Sequence, residues 1–314
     1  MTKVVALAGG VGGAKLVYGL AKILPAEDLT VIVNTGDDFV HFGLHISPDI
    51  DTVMYNLAEL DNEKTGWGRK DETWNCLNEL KRIGSESWFN LGDLDLATHL
   101  ERTKLLKEGL NLTQVTTHLR KRFGVGIDIR PMTDEKVKTI ITTQEFGDLS
   151  FQEYFVKHHF EPHYVTHHFQ GIELAKINQE TRKLLSQADI IIICPSNPWL
   201  SILPILSIED FQQIISEKVC ISVSPIVGND AIKGPAAKIF REMNINPSAY
   251  EVAKIYHTII DGFVMDNLNS SESDVIRACG IIPMITDTIM TDRFSKERLA
   301  KEIISFASQL KKGN

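Results

Sequence analysis

The chain has 314 residues, of which 43% are apolar and 24% charged, an ordinary composition for a globular protein with a sizeable core. Its 41 acidic residues against 33 Lys and Arg leave a formal net charge of -8, which excludes a broad nucleic-acid surface and leaves room for a local basic pocket. Cys76, Cys194, Cys220 and Cys279 are scattered without Cys-x-x-Cys spacing, so no zinc knuckle or redox pair is expected, and no apolar run approaches the roughly 20 residues of a membrane span.

The first segment, "KVVALAGG", reads as a buried strand. Too few apolar residues precede its glycines for a signal peptide, so a cytoplasmic location is expected. Leu16, Val17, Leu20, Ile23 and Leu24 then recur at helical spacing until Pro25 stops them, and "LTVIVNTGDD" follows as a second apolar strand ending in a polar loop. Strand, helix and strand within about thirty residues make a βαβ unit, which requires parallel strands and a right-handed crossover. Ser47 reads as an N-cap and Pro48 as a first helical residue, with Ile50, Val53, Met54 and Leu57 as the buried stripe. From Asp51 to Arg122 the pattern is nearly all helical. "EKVKTIITT" restores strand character, and "LSFQEYFVKH" reads as another strand. "ADIIIICPSNP" and "KVCISVSPIVGN" repeat the early grammar of a β-branched run that ends in turn-forming polar residues.

The expected fold is therefore α/β, a Rossmann-like doubly wound and mainly parallel sheet with a largely helical insertion. Residues 1–50 and 135–314 form the nucleotide-binding core and 51–134 the insertion. Ligands on such sheets sit beyond the carboxyl ends of the strands, which puts the glycine loop, "NTGDD", "PSNP" and "SPIVGN" along one edge.

The glycine loop fits neither familiar fingerprint. Ala14 separates Gly13 from Lys15, which breaks a P-loop, and Gly10, Val11 and Gly12 are followed by Gly13, Ala14 and Lys15, which breaks the dinucleotide pattern. The physics survives: Gly10, Val11, Gly12 and Gly13 offer backbone amides, and the following helix offers its positive end to phosphate. Lys15 either adds a charge or points to solvent. A tight turn without a ligand is the plainer reading, and the entropy cost of so many glycines argues against it. Asp49 and Asp51 fall in a first helical turn, where acids complement the helix dipole. With Asp37 and Asp38 at a strand end, four carboxylates can converge, and two of them holding magnesium would neutralise a diphosphate. Trp67 and Trp74 either stack on a flat ligand or anchor helices, and Asp93 and Asp95 read as helix caps. His158, His159, His163, His167 and His168 are expected on an exposed strand pair, as a solvated or anion-facing surface rather than a metal site.

In order along the chain stand "GGVGGAK", "NTGDDF", "ISPDIDTVMYNLA", "GWGRKDET", "LGDLDLATH", "PSNPWLSI", "SPIVGNDAIKGPAAK" and "TDTIMTD". This series resembles the 2-phospho-L-lactate transferase family, which acts in biosynthesis of the deazaflavin coenzyme F-420. The resemblance implies a magnesium-dependent phosphotransferase, usually a homodimer. Such an enzyme moves a 2-phospholactyl or phosphoenolpyruvyl group from a guanosine-diphosphate-activated donor to the deazaflavin precursor FO and releases GMP. It implies that the glycine loop and Lys15 hold donor phosphates, and that Ser196, Asn197, Ser224, Gly228 and Asn229 line the nucleotide side. Asp49 and Asp51 are the implied catalytic residues and fall where FO and metal meet, Asp51 as metal ligand or base, with Asp37 and Asp38 as further metal candidates. Asp51 matches an FO-binding aspartate, Asn90 a second FO contact, and Trp67 is placed to stack on the ring. The rival is a non-catalytic nucleotide-sugar-binding regulator of the gluconeogenesis-factor type. That group resembles the first strand and loop but carries Asp-Asp-Gly-Gly-Ser where this chain has Asp37, Asp38, Phe39 and Val40.

Overall fold

The apolar runs read as strands form the middle of a seven-stranded sheet in a computed structural model, which describes residues 2–232 and 234–311. Val4–Ala8 lies between Leu29–Val33 and Ile190–Ile193. Asp128–Pro131 flanks Leu29–Val33 at one edge, and Val219–Val223, Gly262–Asp266 and Ile282–Thr286 extend the sheet to the other. All six strand pairings are parallel. The order reverses direction at the first strand, which makes the sheet doubly wound.

Buried strands with alternating side chains supply two cores at once. Val5, Leu7, Ile191 and Ile193 join Trp199, Phe211 and Phe240 on one face. Val4, Ala6, Ala8, Ile190 and Ile192 join Leu16, Val17, Leu20, Leu299 and Ile303 on the other. Among the described residues no helix is long and apolar enough to cross a membrane.

The 51–134 stretch carries most of Pro48–Leu57 and the helices Asn75–Arg82, Asp93–Lys107 and Leu112–Arg122, and it ends differently from the sequence reading. Gly124, at φ 73°, closes the last helix, and Asp128–Pro131 then becomes an edge strand of the main sheet with Ile129 fully buried. A second correction concerns "LSFQEYFVKH". Strand Gly147–Ser150 stops early, and Glu153–Lys157 forms a π-helical turn. Phe151 and Phe155 stack at 5.4 Å, as four-residue helical spacing allows, and Phe155 stacks on Phe160 at 5.6 Å. That contact outweighs the strand propensity of the run. Strands Gly147–Ser150, Lys138–Thr143 and Tyr164–Gln170 make a separate antiparallel sheet. Of the five histidines expected on an exposed strand pair only His167 and His168 lie in a strand, while His158, His159 and His163 fall in the turns that follow the π-helical segment.

The C-terminal helix Arg293–Lys311 packs along the first helix, Gly10–Ile23, and Gly19 sits at their closest approach. A Cβ there would stand 2.2 Å from the carbonyl oxygen of Lys296. Alanine at Gly19 would gain about 0.5–1 kcal/mol of helix propensity, against a steric cost of roughly 1–3 kcal/mol in a close-packed interface. Gly19→Ala is therefore expected to lower the midpoint of chemical denaturation; a raised midpoint would show that the helices part easily here.

Candidate active site

Because the strands are parallel, their carboxyl ends deliver Gly9, Asn34, Pro195, Ser224 and Asp266 to one edge of the sheet. The glycine loop is held there from two sides. A Cβ on Gly9 would meet Ser201 Cβ at 2.6 Å and Asp49 Oδ2 at 2.8 Å, and one on Gly12 would meet the Pro195 carbonyl at 2.2 Å. Gly10 adopts φ 62°. Ser196 Oγ accepts from Gly9 N at 3.2 Å and donates to Gly9 O at 2.6 Å, which ties "PSNP" to the loop.

Asp49 reaches this loop from the first turn of Pro48–Leu57. Gly10 N donates to its Oδ1 at 2.7 Å and Asn34 Nδ2 to its Oδ2 at 3.0 Å. The amide expected to face a phosphate thus already faces a carboxylate. Burial raises the Asp49 carboxyl from the ordinary 3.8 to about 6. Asp37 is pushed well above the usual carboxylate range by burial and by the neighbouring charges of Asp49 and Asp38. Asp38 accepts from Ser47 Oγ at 2.6 Å and lies 3.1 Å from His45 Nε2. Ser47 precedes the helix as expected, but its hydroxyl serves Asp38 and caps nothing. One oxygen each of Asp37 and Asp38 is buried without a partner. The sheet edge therefore holds three neighbouring carboxylates, two of which keep an unspent acceptor oxygen.

Asp51 points elsewhere, because residues two apart on a helix do not share a face. Arg102, on helix Asp93–Lys107, grips it with both terminal nitrogens, Nη1 at 3.0 Å from Oδ2 and Nη2 on Oδ1. Arg102 and His99 are each 1% exposed. Burial raises the Asp51 carboxyl while Arg102 and His99 pull it back. Arg102 Nη1 also donates to His99 Nδ1 at 2.9 Å; arginine has no acceptor, so the imidazole carries its proton on Nε2, 3.3 Å from Asp95 Oδ1. Tyr55 donates to the same Asp95 oxygen at 2.7 Å. Asp51, Asp95 and His99 are the one group among the described residues with the spacing of a metal site. The Arg102 fork already supplies that group's cation.

Asp95 continues into a cleft lined by Trp67, Arg69, Trp74 and Asn90. Trp67 and Trp74 are 45% and 37% exposed, so they are walls of the cleft and not helix anchors. Asp95 caps nothing. Asp93 instead accepts from Thr73 Oγ1, Asn75 N and Cys76 N, while Glu72 returns the exchange by accepting from Leu94 N and Asp95 N. This reciprocal capping locks "GWGRKDET" against "LGDLD".

On the nucleotide side, Asn197 Oδ1 accepts from Trp199 N and Leu200 N at 3.1 Å each, and its buried Nδ2 has no partner. Ser224 Oγ is bonded to both backbone groups of Ile226, and Gly228, at φ 62°, pairs through N and O with the Asn269 amide at 2.8 Å. Asn229 is exposed, and its carbonyl accepts from Arg241. Lys15 reaches the Met290 carbonyl at 2.8 Å. Lys233, inside "SPIVGNDAIKGPAAK", lies outside the described residues. The histidines serve different partners: His163 faces Glu242 at 3.3 Å, His167 bonds Tyr164 Oη at 2.6 Å, and His158 packs on Phe146 at 4.5 Å.

Sequence reasoning missed Arg102, His99, Asn34 and the role of Asp95. Asp95, His99 and Arg102 recur at spacings of four and three, a polar stripe along one helix face that periodicity exposes once a buried partner is sought for it.

Compared with known proteins, residues 4–304 match the sequence profile of the family 2-phospho-L-lactate transferase CofD. A phosphoenolpyruvate transferase of Streptomyces coelicolor is 36% identical, with 98% of this chain and 99% of that one covered. A 2-phospho-L-lactate transferase of Methanococcoides burtonii is 35% identical over 96% and 98% of the two chains, and one of Methanocaldococcus jannaschii is 36% identical over 97% and 98%. Among solved structures, a UPF0052 family member from Bacillus halodurans superposes with a TM-score of 0.63 at 14% identity, covering 96% of this chain and 98% of that one, which is a likeness of fold.

Removing the guanidinium should be costly, since it leaves a buried carboxylate without a counter-charge. Arg102→Met is expected to lose about 3–5 kcal/mol of unfolding free energy, much of it regained in Arg102→Met with Asp51→Asn. Urea denaturation of both variants checks this; equal losses would show that the pair is uncoupled.

Proposed function

This chain belongs to the 2-phospho-L-lactate transferase family, and we propose that it transfers a 2-phospholactyl or phosphoenolpyruvyl group from a guanosine-diphosphate-activated donor to FO. The observation that carries the reading is the gathering of buried Asp37 and Asp49 with half-buried Asp38, Asp49 bonded to the glycine loop, beside a cleft walled by exposed tryptophans. A binder without catalysis has less use for metal-holding carboxylates, which weighs against the nucleotide-sugar-binding regulator reading.

In the proposed reaction a ribityl hydroxyl oxygen of FO forms the new bond to the phosphorus that bears the acid. The anhydride bond to the inner phosphate breaks, GMP leaves with the bonding electrons, and the hydroxyl proton is released. Transfer of this kind is driven mostly by positioning and by cancelling charge on the non-bridging oxygens. The glycine loop and the helix it opens would contribute the positive end of a dipole, and the free Asn197 Nδ2 a donor to the nucleotide side. Ser196, Ser224, Gly228, Asn229 and Lys15 would shape that side, the first three mainly by holding loops in place.

The oxygen-only set of Asp49 with Asp37 and Asp38 would suit magnesium once the ion drew the three carboxylates closer than they now stand; the orphaned oxygens of Asp37 and Asp38 and the raised Asp37 and Asp49 carboxyls support that reading. When bound, the ion would neutralise the diphosphate. The Asp51, Asp95 and His99 group suits it less, because Arg102 occupies both Asp51 oxygens and imidazole favours softer metals. Asp51 would instead accept hydrogen bonds from FO hydroxyls through its remaining lone pairs, held ionised and in one orientation by Arg102. Helices of the 51–134 region, with Trp67 and Asn90, would close the FO side.

Titration of the purified chain with FO, followed by deazaflavin fluorescence, tests the reading. Saturable binding that weakens at least tenfold in Asp51→Ala is expected; tight binding of a nucleotide sugar with no response to FO would favour the regulator. A second measurement concerns the ion. The raised Asp49 value means that ionised Asp49 is disfavoured in the folded chain: its stabilising contribution is complete below the ordinary 3.8 and is lost as pH rises through about 6. A divalent ion offsets that loss only where Asp49 is ionised. Millimolar MgCl2 is therefore expected to raise the thermal midpoint by a few degrees at pH 7.5, barely at pH 5, and not at all in Asp49→Ala. Equal shifts at both pH values would remove Asp49 from the ion site.

A further inference from the structure

The cleft beside Asp95 is narrow, with about 30 Å³ of open space against the roughly 300–1,000 Å³ of pockets that enclose a ligand, so a flat ligand would lie across its mouth between the exposed tryptophans. One cation lies in its wall. Arg69 is held from behind by two aromatic faces, its Cζ 5.5 Å from the Tyr55 ring centre and 5.4 Å from that of Phe123. The backbone of its loop is pinned by the bridge between Asp61 and Arg69.

What the guanidinium lacks is a polar partner. Its Nε is buried without a hydrogen bond, and among the described residues no carboxylate lies within ion-pair distance of it. The nearby acids are committed elsewhere, Asp95 to Tyr55 and His99, and Glu72 to the backbone of Leu94 and Asp95. An arginine that has spent none of its five N–H donors, held in a fixed plane beside exposed Trp67 and Trp74, is arranged to read a flat ligand that carries conjugated oxygens.

We propose that Arg69 is a binding residue for the ring of the acceptor, with its fork on the ring's carbonyl oxygens while the tryptophans take the ring face and Asn90 its edge. This rests on the acceptor being FO. A phosphate is the poorer fit for the same cation, since Glu72 and Asp95 line the cleft and the tryptophans favour a flat apolar face. The contact would also divide the work: Asp51 addresses the ribityl chain and Arg69 the ring, so the hydroxyl to be phosphorylated is positioned from both ends of one rigid ligand.

The test compares FO affinity, by fluorescence titration, in the unaltered chain, Arg69→Met and Arg69→Lys, with GDP affinity and thermal midpoint recorded for each. A lost hydrogen bond to a charged group corresponds to roughly ten- to a hundredfold in affinity. Arg69→Met is therefore expected to bind FO at least tenfold more weakly and to bind GDP within twofold of the unaltered chain. Arg69→Lys keeps the charge and stem but not the fork, and stands in if the Met variant is unstable. Unaltered FO affinity in either variant, with only the midpoint lowered, would make Arg69 a structural cation and overturn the inference. Failure of the unaltered chain to bind FO would overturn the functional reading and this contact together.

Discussion

The glycine loop after the first strand passes where no side chain fits, and much of the site takes its position from that squeeze. Gly9 is pressed by Ser201 and Asp49, Gly12 by the Pro195 carbonyl, and Gly13 by Ser196. These contacts join the loop to two segments of chain, so the glycines act as the common surface on which "PSNPWLS" and the Asp49 helix are laid. Parallel strands create the meeting place, because every crossover returns the chain to the same edge with its polar turn uppermost. Backbone freedom in the loop is used first for close approach, and only Gly10 needs a positive φ.

That packing has an electrostatic consequence. In familiar phosphate loops the freed amides face the anion directly. Here Gly10 N is bound by Asp49, and Asp37 and Asp38 stand close by, so the positive end of the first helix is met by protein carboxylates. An anionic donor would be repelled unless a cation intervened, which is the physical reason for pairing this loop with a divalent ion in the proposed reaction. The second acidic centre is handled differently. Asp51 receives its counter-charge from within the protein, through Arg102, and neither residue can be exchanged alone without burying an unpaired charge. Two aspartates two residues apart thus belong to two environments, one short of positive charge and one already compensated.

The helical region joins these centres to the cleft. Reciprocal capping between Glu72 and Asp93 fixes the two segments that bear Trp67, Arg69 and Asn90, and the chain of Asp95, His99 and Arg102 runs from the cleft wall to Asp51 along a single helix. A buried network of this kind adds little net stability, but it leaves few alternative arrangements of the side chains it contains.

Much was readable in the linear chain. The β-branched runs predicted the parallel sheet, the Ser-Pro-Asp start placed Asp49 and Asp51 in a first helical turn, and strand ends located the polar loops, because periodicity and end signals are local properties. Phe151, Phe155 and the Asp128–Pro131 strand escaped it, since a short apolar run fits strand or helix and only its packing partner decides. Direction and partnership escaped it as well. That Asp49 turns to Gly10 while Asp51 turns to Arg102, that Ser47 serves Asp38, and that Lys15 reaches the Met290 carbonyl all depend on residues up to hundreds of positions away. Residue types and their local order determined which chemistry this protein carries. Which carboxylate faces a ligand and which a buried arginine was decided by tertiary structure, because burial and counter-charge are set by neighbours brought in from distant parts of the chain.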